Sequence, residues 1–564
     1  TQSRSSAASD VYKRQTFDYI IAGGGSAGCT LASRLSENKD IKVLLIEAGG
    51  SGKSLFTQMP GGNGYIFGNP KFDWGFESIP QPSLNNRKIL YPRGKGLGGS
   101  SLLNGMIYMR GAPGDFNRWR QKGLEGWSYN DVLPYFKRSA SAFHREKNEY
   151  HSHSGPLKLT PAGNYNSIDK AFIDACVEAG AEINNDFYNG NLNGVGRYDV
   201  KVWNGKRQSS AEAYLKFKPS NLTIYKNTSV IKILIEKNKA KGLLLSNGEV
   251  YASSEVILSL GAFGSPKCLM LSGIGPEEHL KEKNIELLIN LPGVGENLHD
   301  HPVMPMNWAF QNNNLSFSKY QRIDRAIIVG LKYILFKQGL AAAPFWSTNL
   351  FHAIREKDMP EIQVFMTPMC FKEEKDNWSM SLDNLLNFGS LFFSRGKKAF
   401  PGLHFQINLL RPKSTGSVKL KSSNPNDELN INPNWFIDPS DMEDMIEGMK
   451  HTREVLSKPS LAKIVSEELL PGKKIKSDQD LKESVRNHVQ TGHHPASTCA
   501  MGSSNNKMAV LDNQLKVRGI DNLRVVDASS FPDMISGNIN ASVIMLAEKA
   551  SCLLYTSPSP RDQR

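Results

Sequence analysis

The chain has 564 residues, 39 % hydrophobic and 22 % charged, and Lys plus Arg exceed Asp plus Glu by 13. That balance is globular and excludes disorder, collagen and coiled coil. The mean hydropathy is −0.39, and the longest greasy stretch, residues 326–336, is broken by Lys332. No segment reaches the roughly 18–20 apolar residues a bilayer needs, so no membrane span is expected. The basic residues form no run or stripe, so no nucleic-acid partner is expected either.

The two ends carry one signal. Asp10-Val11-Tyr12-Lys13-Arg14-Gln15 can be encoded by GATGTGTATAAGAGACAG, whose reverse complement, read one base out of frame, gives Cys552 to Ser557. Residues 1–15 and 552–564 therefore read as non-native, adaptor-like tails. The five cysteines between them are widely spaced and form no CxxC pair, which gives no support to a metal site.

Phe17 to Ala22 is a short apolar run of strand type. It leads into Gly23-Gly24-Gly25-Ser26-Ala27-Gly28, then a helical stretch, then a second strand, Ile41 to Ile46, ending at Glu47. This is a complete β-α-β unit with a G-x-G-x-x-G turn and an acid about twenty residues beyond it. Gly23, Gly25 and Gly28 permit the tight turn, and Ser26 and Ala27 open a helix toward a pyrophosphate. Glu47 is placed to accept from ribose hydroxyls. A second glycine-rich segment, Tyr91 to Asn104, suits a loop wrapped around a large flat cofactor.

Together these segments resemble the glucose–methanol–choline (GMC) oxidoreductase family. Gly94 to Asn117 resembles its first signature. Gly261 to Pro266 with Ser272-Gly273-Ile274-Gly275 resembles its second, and Leu291 to His301 also looks familial. The details resemble the animal branch, with its glucose-dehydrogenase-like and ecdysteroid-oxidising members. The resemblance implies an α/β fold: a Rossmann-like FAD-binding domain assembled from discontinuous segments, with an α+β substrate-binding domain carrying an antiparallel sheet. The expected FAD-binding segments are 16–155, 221–300 and 505–551, and the expected substrate-binding segments are 156–220 and 301–504. By resemblance, the FAD contacts extend to Ala48, Trp74, Gly99, Ser100, Asn104, Gly105, Met106, Ile107, Val230, Asp527, Ala528, Ala541 and Ser542. Asp527 ends a strand, a common helix N-cap position as well. A secreted location is favoured by the same resemblance.

Gln490 to Cys499 carries two adjacent histidines. The His494-Pro495 step matches the family's active-site segment, which implies His494 as the base that takes a hydroxyl proton while hydride leaves for the flavin. Counting back from the terminal helix puts Asn540 at the family's His-or-Asn position, although Asn540 is also a natural N-cap. Some choline-oxidising relatives carry a flavin-bonded His where Leu103 stands here, so the FAD is expected to be non-covalent. The expected activity is oxidation of a small-molecule alcohol to the carbonyl, with O2 or a quinone or dye as acceptor. A hydroxynitrile-lyase-type enzyme of the same fold, or a flavin-loaded binding protein, are the other readings, since function lives in the site.

Overall fold

The structure, a computed structural model, describes residues 16–321, 323–356, 358–371 and 399–556. The apolar runs Thr16–Ala22 and Val43–Ile46 pair in parallel, and the helix Ser26–Leu35 crosses between them. Leu222–Tyr225 adds to the outer side of Val43–Ile46, and Gly248–Leu258 to the other side of Thr16–Ala22, both in parallel. Gly248–Leu258 is long enough to serve two partners on one edge. Its first residues pair antiparallel with Lys239–Leu245, and its last pair in parallel with Leu523–Val525. With Val230–Glu236 the sheet has seven strands.

Four parallel strands end at Ala22, Ile46, Leu258 and Val525, and each feeds a residue into one cavity: Gly23, Glu47, Ser259 and Asp527. Ligands of open α/β sheets lie beyond these carboxyl ends.

A second sheet, also of seven strands, is antiparallel. Pro302–Phe310 and Gly402–Leu409 lie at its centre, Ile362–Thr367, Thr348–His352 and Gly194–Arg197 extend it, and Val465–Leu470 lies on the far edge. The short strand Gln490–Thr491 pairs with its start, Pro302 opposite Thr491. That one register brings the His301 end of one segment beside the His494 end of another, nearly 200 residues away in the chain.

The terminal helix Asn540–Thr556 packs on Ser26–Leu35 and continues past residue 551. Leu554 is buried, and the Tyr555 hydroxyl donates to Arg34 O at 2.7 Å. Residues 552–556, set apart by the sequence as tail, form the last turn because Leu553, Leu554 and Tyr555 continue a good helical sequence in register. Among the described residues no helix is long and apolar enough to cross a membrane.

Candidate active site

One cavity of about 1070 Å³ runs between the two sheets. Its first half is built from backbone. A Cβ on Gly23 would lie 2.4 Å from Ser259 O, and one on Gly99 would lie 2.6 Å from Gly25 Cα. The two glycine loops therefore close on each other with no room for side chains, a cradle for a group that needs backbone approach. Gly25 caps the helix Ser26–Leu35 without any side-chain acceptor, so its first N–H groups remain available to an anion.

Most of the expected cofactor residues meet there. Gly23, Gly25, Ser26, Ala27, Glu47, Ala48, Gly99 and Ser100 line the cavity, as do Asn104 to Ile107, Val230, Asp527, Ala528 and the exposed Trp74. Three do not. A Cβ on Gly28 would sit 1.9 Å from Gly23 O, so this glycine serves helix-to-strand packing. Ala541 and Ser542 are buried away from the cavity, and the Ser542 hydroxyl donates to Arg110 O. The helix presents Asn540 and Val543, three residues apart, to the cavity, which turns 541 and 542 into the core.

Two expected ligand carboxylates also have structural work. Glu47 accepts from the N–H groups of Gly24, Gly49 and Gly96 at 2.9, 2.7 and 2.9 Å. Burial raises its pKa, and those three bonds oppose the shift. Asp527 caps the short turn Ala528–Ser530 through Ser529 N–H and also accepts from Gly261 N–H and the Ser265 hydroxyl. Both residues tie the floor of the cavity together.

At the other end stands His494. Its Nδ1 lies 2.9 Å from His301 Nδ1, and its Nε2 lies 3.2 Å from Asn538 Nδ2. The tautomers follow from the far end of this relay. Ile535 O, 3.1 Å from His301 Nε2, can only accept, so His301 carries its proton on Nε2. Its Nδ1 then accepts from His494 Nδ1–H, so His494 Nε2 carries no proton and accepts from Asn538 Nδ2–H at the cavity. Burial, then His301, holds His494 well below the usual imidazole pKa, and burial takes His301 down to about 4. Asp300 fixes the backbone: its carboxylate accepts from His494 N–H and His301 N–H, at 2.8 and 2.9 Å, and from the Thr491 hydroxyl.

Asn540 does not face His494. Its Nδ2 donates to Ser26 Oγ at 2.9 Å, and its Oδ1 accepts from Lys201. The helix starts at Asn540, whereas Asn538, two residues earlier in the connecting loop, reaches the imidazole. The helix-start pattern in the sequence points to Asn540 and carries no signal for Asn538. Nor does the sequence give a role to Asp300 and His301, although both lie in the segment Leu291 to His301 that looks familial. His493 lies beside the pair with its backbone in the left-handed region, φ 64°, and its carbonyl accepts from Arg93.

A family model described as GMC oxidoreductase matches residues 17–303, and its C-terminal counterpart matches residues 412–547. An oxygen-dependent choline dehydrogenase from Photobacterium profundum is 39 % identical over 548 residues, covering 95 % of this chain and 92 % of that protein. An alcohol dehydrogenase [acceptor] from Pseudomonas putida is 36 % identical, covering 95 % of each. Among solved structures, pyridoxine 4-oxidase from Mesorbium loti superposes with a TM-score of 0.83 at 28 % identity, covering 96 % of this chain and all of that one. These similarities correct the expected placement in an animal branch, since the relatives are bacterial dehydrogenases. The secreted location rested on that branch and is withdrawn with it.

Proposed function

The chain belongs to the GMC oxidoreductase family of FAD enzymes that oxidise CH–OH groups, and from that premise we propose that it oxidises an uncharged alcohol with an apolar or aromatic body. The observation that carries the reading is the unprotonated His494 Nε2, set by the His301 relay and met at the cavity by Asn538 Nδ2–H. His494 takes the hydroxyl proton as its pKa rises on contact with the developing alkoxide. Asn538 donates to the substrate oxygen and cannot compete as a base. FAD, when bound, supplies the hydride acceptor. Gly23, Gly25 and Gly99 hold it by backbone approach, and Ser26 and Ala27 supply N–H groups to its pyrophosphate. Leu103 lines the cavity and offers no nucleophile, so the FAD is non-covalent and leaves the protein on acid precipitation.

The substrate class is supported by the wall that the second sheet and its neighbours contribute. Val303, Trp346, Phe365, Gln406 and Asn408 line it, and among the described residues this wall carries no carboxylate. A quaternary ammonium would meet aromatic faces there without an acidic anchor. An aryl or aliphatic alcohol gains the apolar contact and needs no counter-charge. Anaerobic mixing decides it. Benzyl-type alcohols should bleach the flavin at lower concentration than choline, whereas tighter use of choline overturns the class. A flavin that stays oxidised with every alcohol overturns the catalytic reading itself. The acceptor is O2 or a quinone or dye, and oxygen consumption with the working alcohol separates the two.

A further inference from the structure

Behind the cavity wall lie two cations that the alcohol chemistry leaves unused. Lys201 is 1 % exposed and Arg207 2 % exposed, and neither lines the cavity. The Lys201 N–H donates to Met106 O, and its ammonium donates to Asn540 Oδ1. Arg207 donates to Asn104 O and, at 3.0 Å, to Asn104 Oδ1. The two cations therefore grip, from the rear, two asparagines that face the cavity from opposite segments. Asn540 in turn donates to Ser26 at the glycine turn.

Lys201 is an expensive residue to place there. Burial brings its ammonium down to about 7, and the charge that acts on it is Arg207, of the same sign. A buried ammonium beside another cation is disfavoured unless negative charge arrives from elsewhere. The cofactor brings such charge in two places: the pyrophosphate, which is always anionic, and the flavin ring, which becomes anionic on accepting hydride. The glycine turn already supplies uncapped N–H groups for a pyrophosphate. Asn104 and Asn540, held by the cations, line the cavity, as do their chain neighbours Met106, Ile107 and Val543.

We propose that Lys201 is a positioning residue for the flavin: it locks Asn540 against the cavity and sets a positive charge behind the wall that favours negative charge on the ring. Preorganised charge of this kind acts without reorganising at the moment of reaction. The inference rests on the cavity being the FAD site. Failure of that premise is distinguishable, because the purified wild-type protein would then neither carry flavin nor take it up.

The test uses the FAD-loaded wild type, K201M, K201R and N540A, with far-UV circular dichroism and flavin content as checks on folding. Sulfite is the probe, since its addition to the oxidised ring leaves negative charge there and is read by loss of flavin absorbance without turnover. K201M should weaken sulfite binding by about tenfold or more, the scale of one lost charge, and should make the flavin harder to reduce. K201R should recover most of the affinity, and N540A, which keeps the charge, should lose less than K201M. Should K201M fail to load flavin, K201Q carries the same measurement. Unchanged sulfite affinity and reduction potential in a loaded variant overturn the proposal. So does a loss confined to FAD affinity, which would move the charge to the pyrophosphate.

Discussion

The two ends of the cavity are held by different physics. The cofactor end is made of glycine loops whose positions are fixed by backbone contact and by one buried carboxylate, Glu47, collecting three N–H groups. The chemical end is a chain of side chains, Ile535 O to His301 to His494 to Asn538, in which each proton position depends on the next. Loss of a link at the first end loosens a cradle. Loss at the second changes which nitrogen carries a lone pair.

The largest expected effect is at the second end. H494A should remain yellow, yet lose about 10² to 10⁴ in flavin-reduction rate, measured by anaerobic stopped flow, because the base goes while the cradle stays. E47A is the mirror image. A charged acceptor is worth about 1.5–3 kcal/mol, so FAD affinity should fall about ten- to hundredfold by equilibrium titration. The melting temperature of the apoprotein should fall too, because three buried N–H groups lose their acceptor. H301F tests the relay: it leaves His494 Nδ1–H without an acceptor, and about a tenfold loss in reduction rate with unchanged FAD affinity is expected, since the tautomer is no longer held.

The smallest effect is in the pH profile. Burial favours neutral His494, so it protonates only well below pH 6.5 and sets no limb there. Asp300 is met before His494 on acidification. Its carboxyl is pushed up to about 6 by burial, against the Thr491 and His494 hydrogen bonds. Above that pH it is charged and accepts from His494 N–H, and below it protonation weakens that hold. Reduction rate should therefore bend near pH 6. D300N, which keeps a carbonyl oxygen to accept but cannot titrate, should lose the bend. A bend that persists in D300N assigns it elsewhere.

The contrast between the ends also sets what could be read from residues alone. The β-α-β unit was legible because a glycine turn between two apolar strands is a local pattern, and the observed Thr16–Ala22, Ser26–Leu35 and Val43–Ile46 follow it closely. The resemblance of the His494-Pro495 step to the family's active-site segment points to His494 over His493, and the structure places its imidazole against His301 and Asn538. Its partners were not legible. His301 meets it only through the pairing of Pro302 with Thr491, a long-range register that no local pattern encodes. Asn540 drew attention as a helix start, but a helix start fixes direction as well as identity, and its side chain turns to Ser26 and Lys201. Lys201 sits in an alternating strand-like stretch, Tyr198 to Trp203, where a lysine reads as solvent-facing until the fold buries it.

The geometry pairs His494 with Asn538 and not with Asn540. The direct measurement is the anaerobic flavin-reduction rate of N538A beside that of N540A, each with full FAD occupancy and a saturating working alcohol. The geometry predicts a loss of about 10- to 100-fold for N538A, which removes the donor at His494 Nε2, and less than about tenfold for N540A. A slower N540A with a near-normal N538A would return the second catalytic position to the start of the terminal helix.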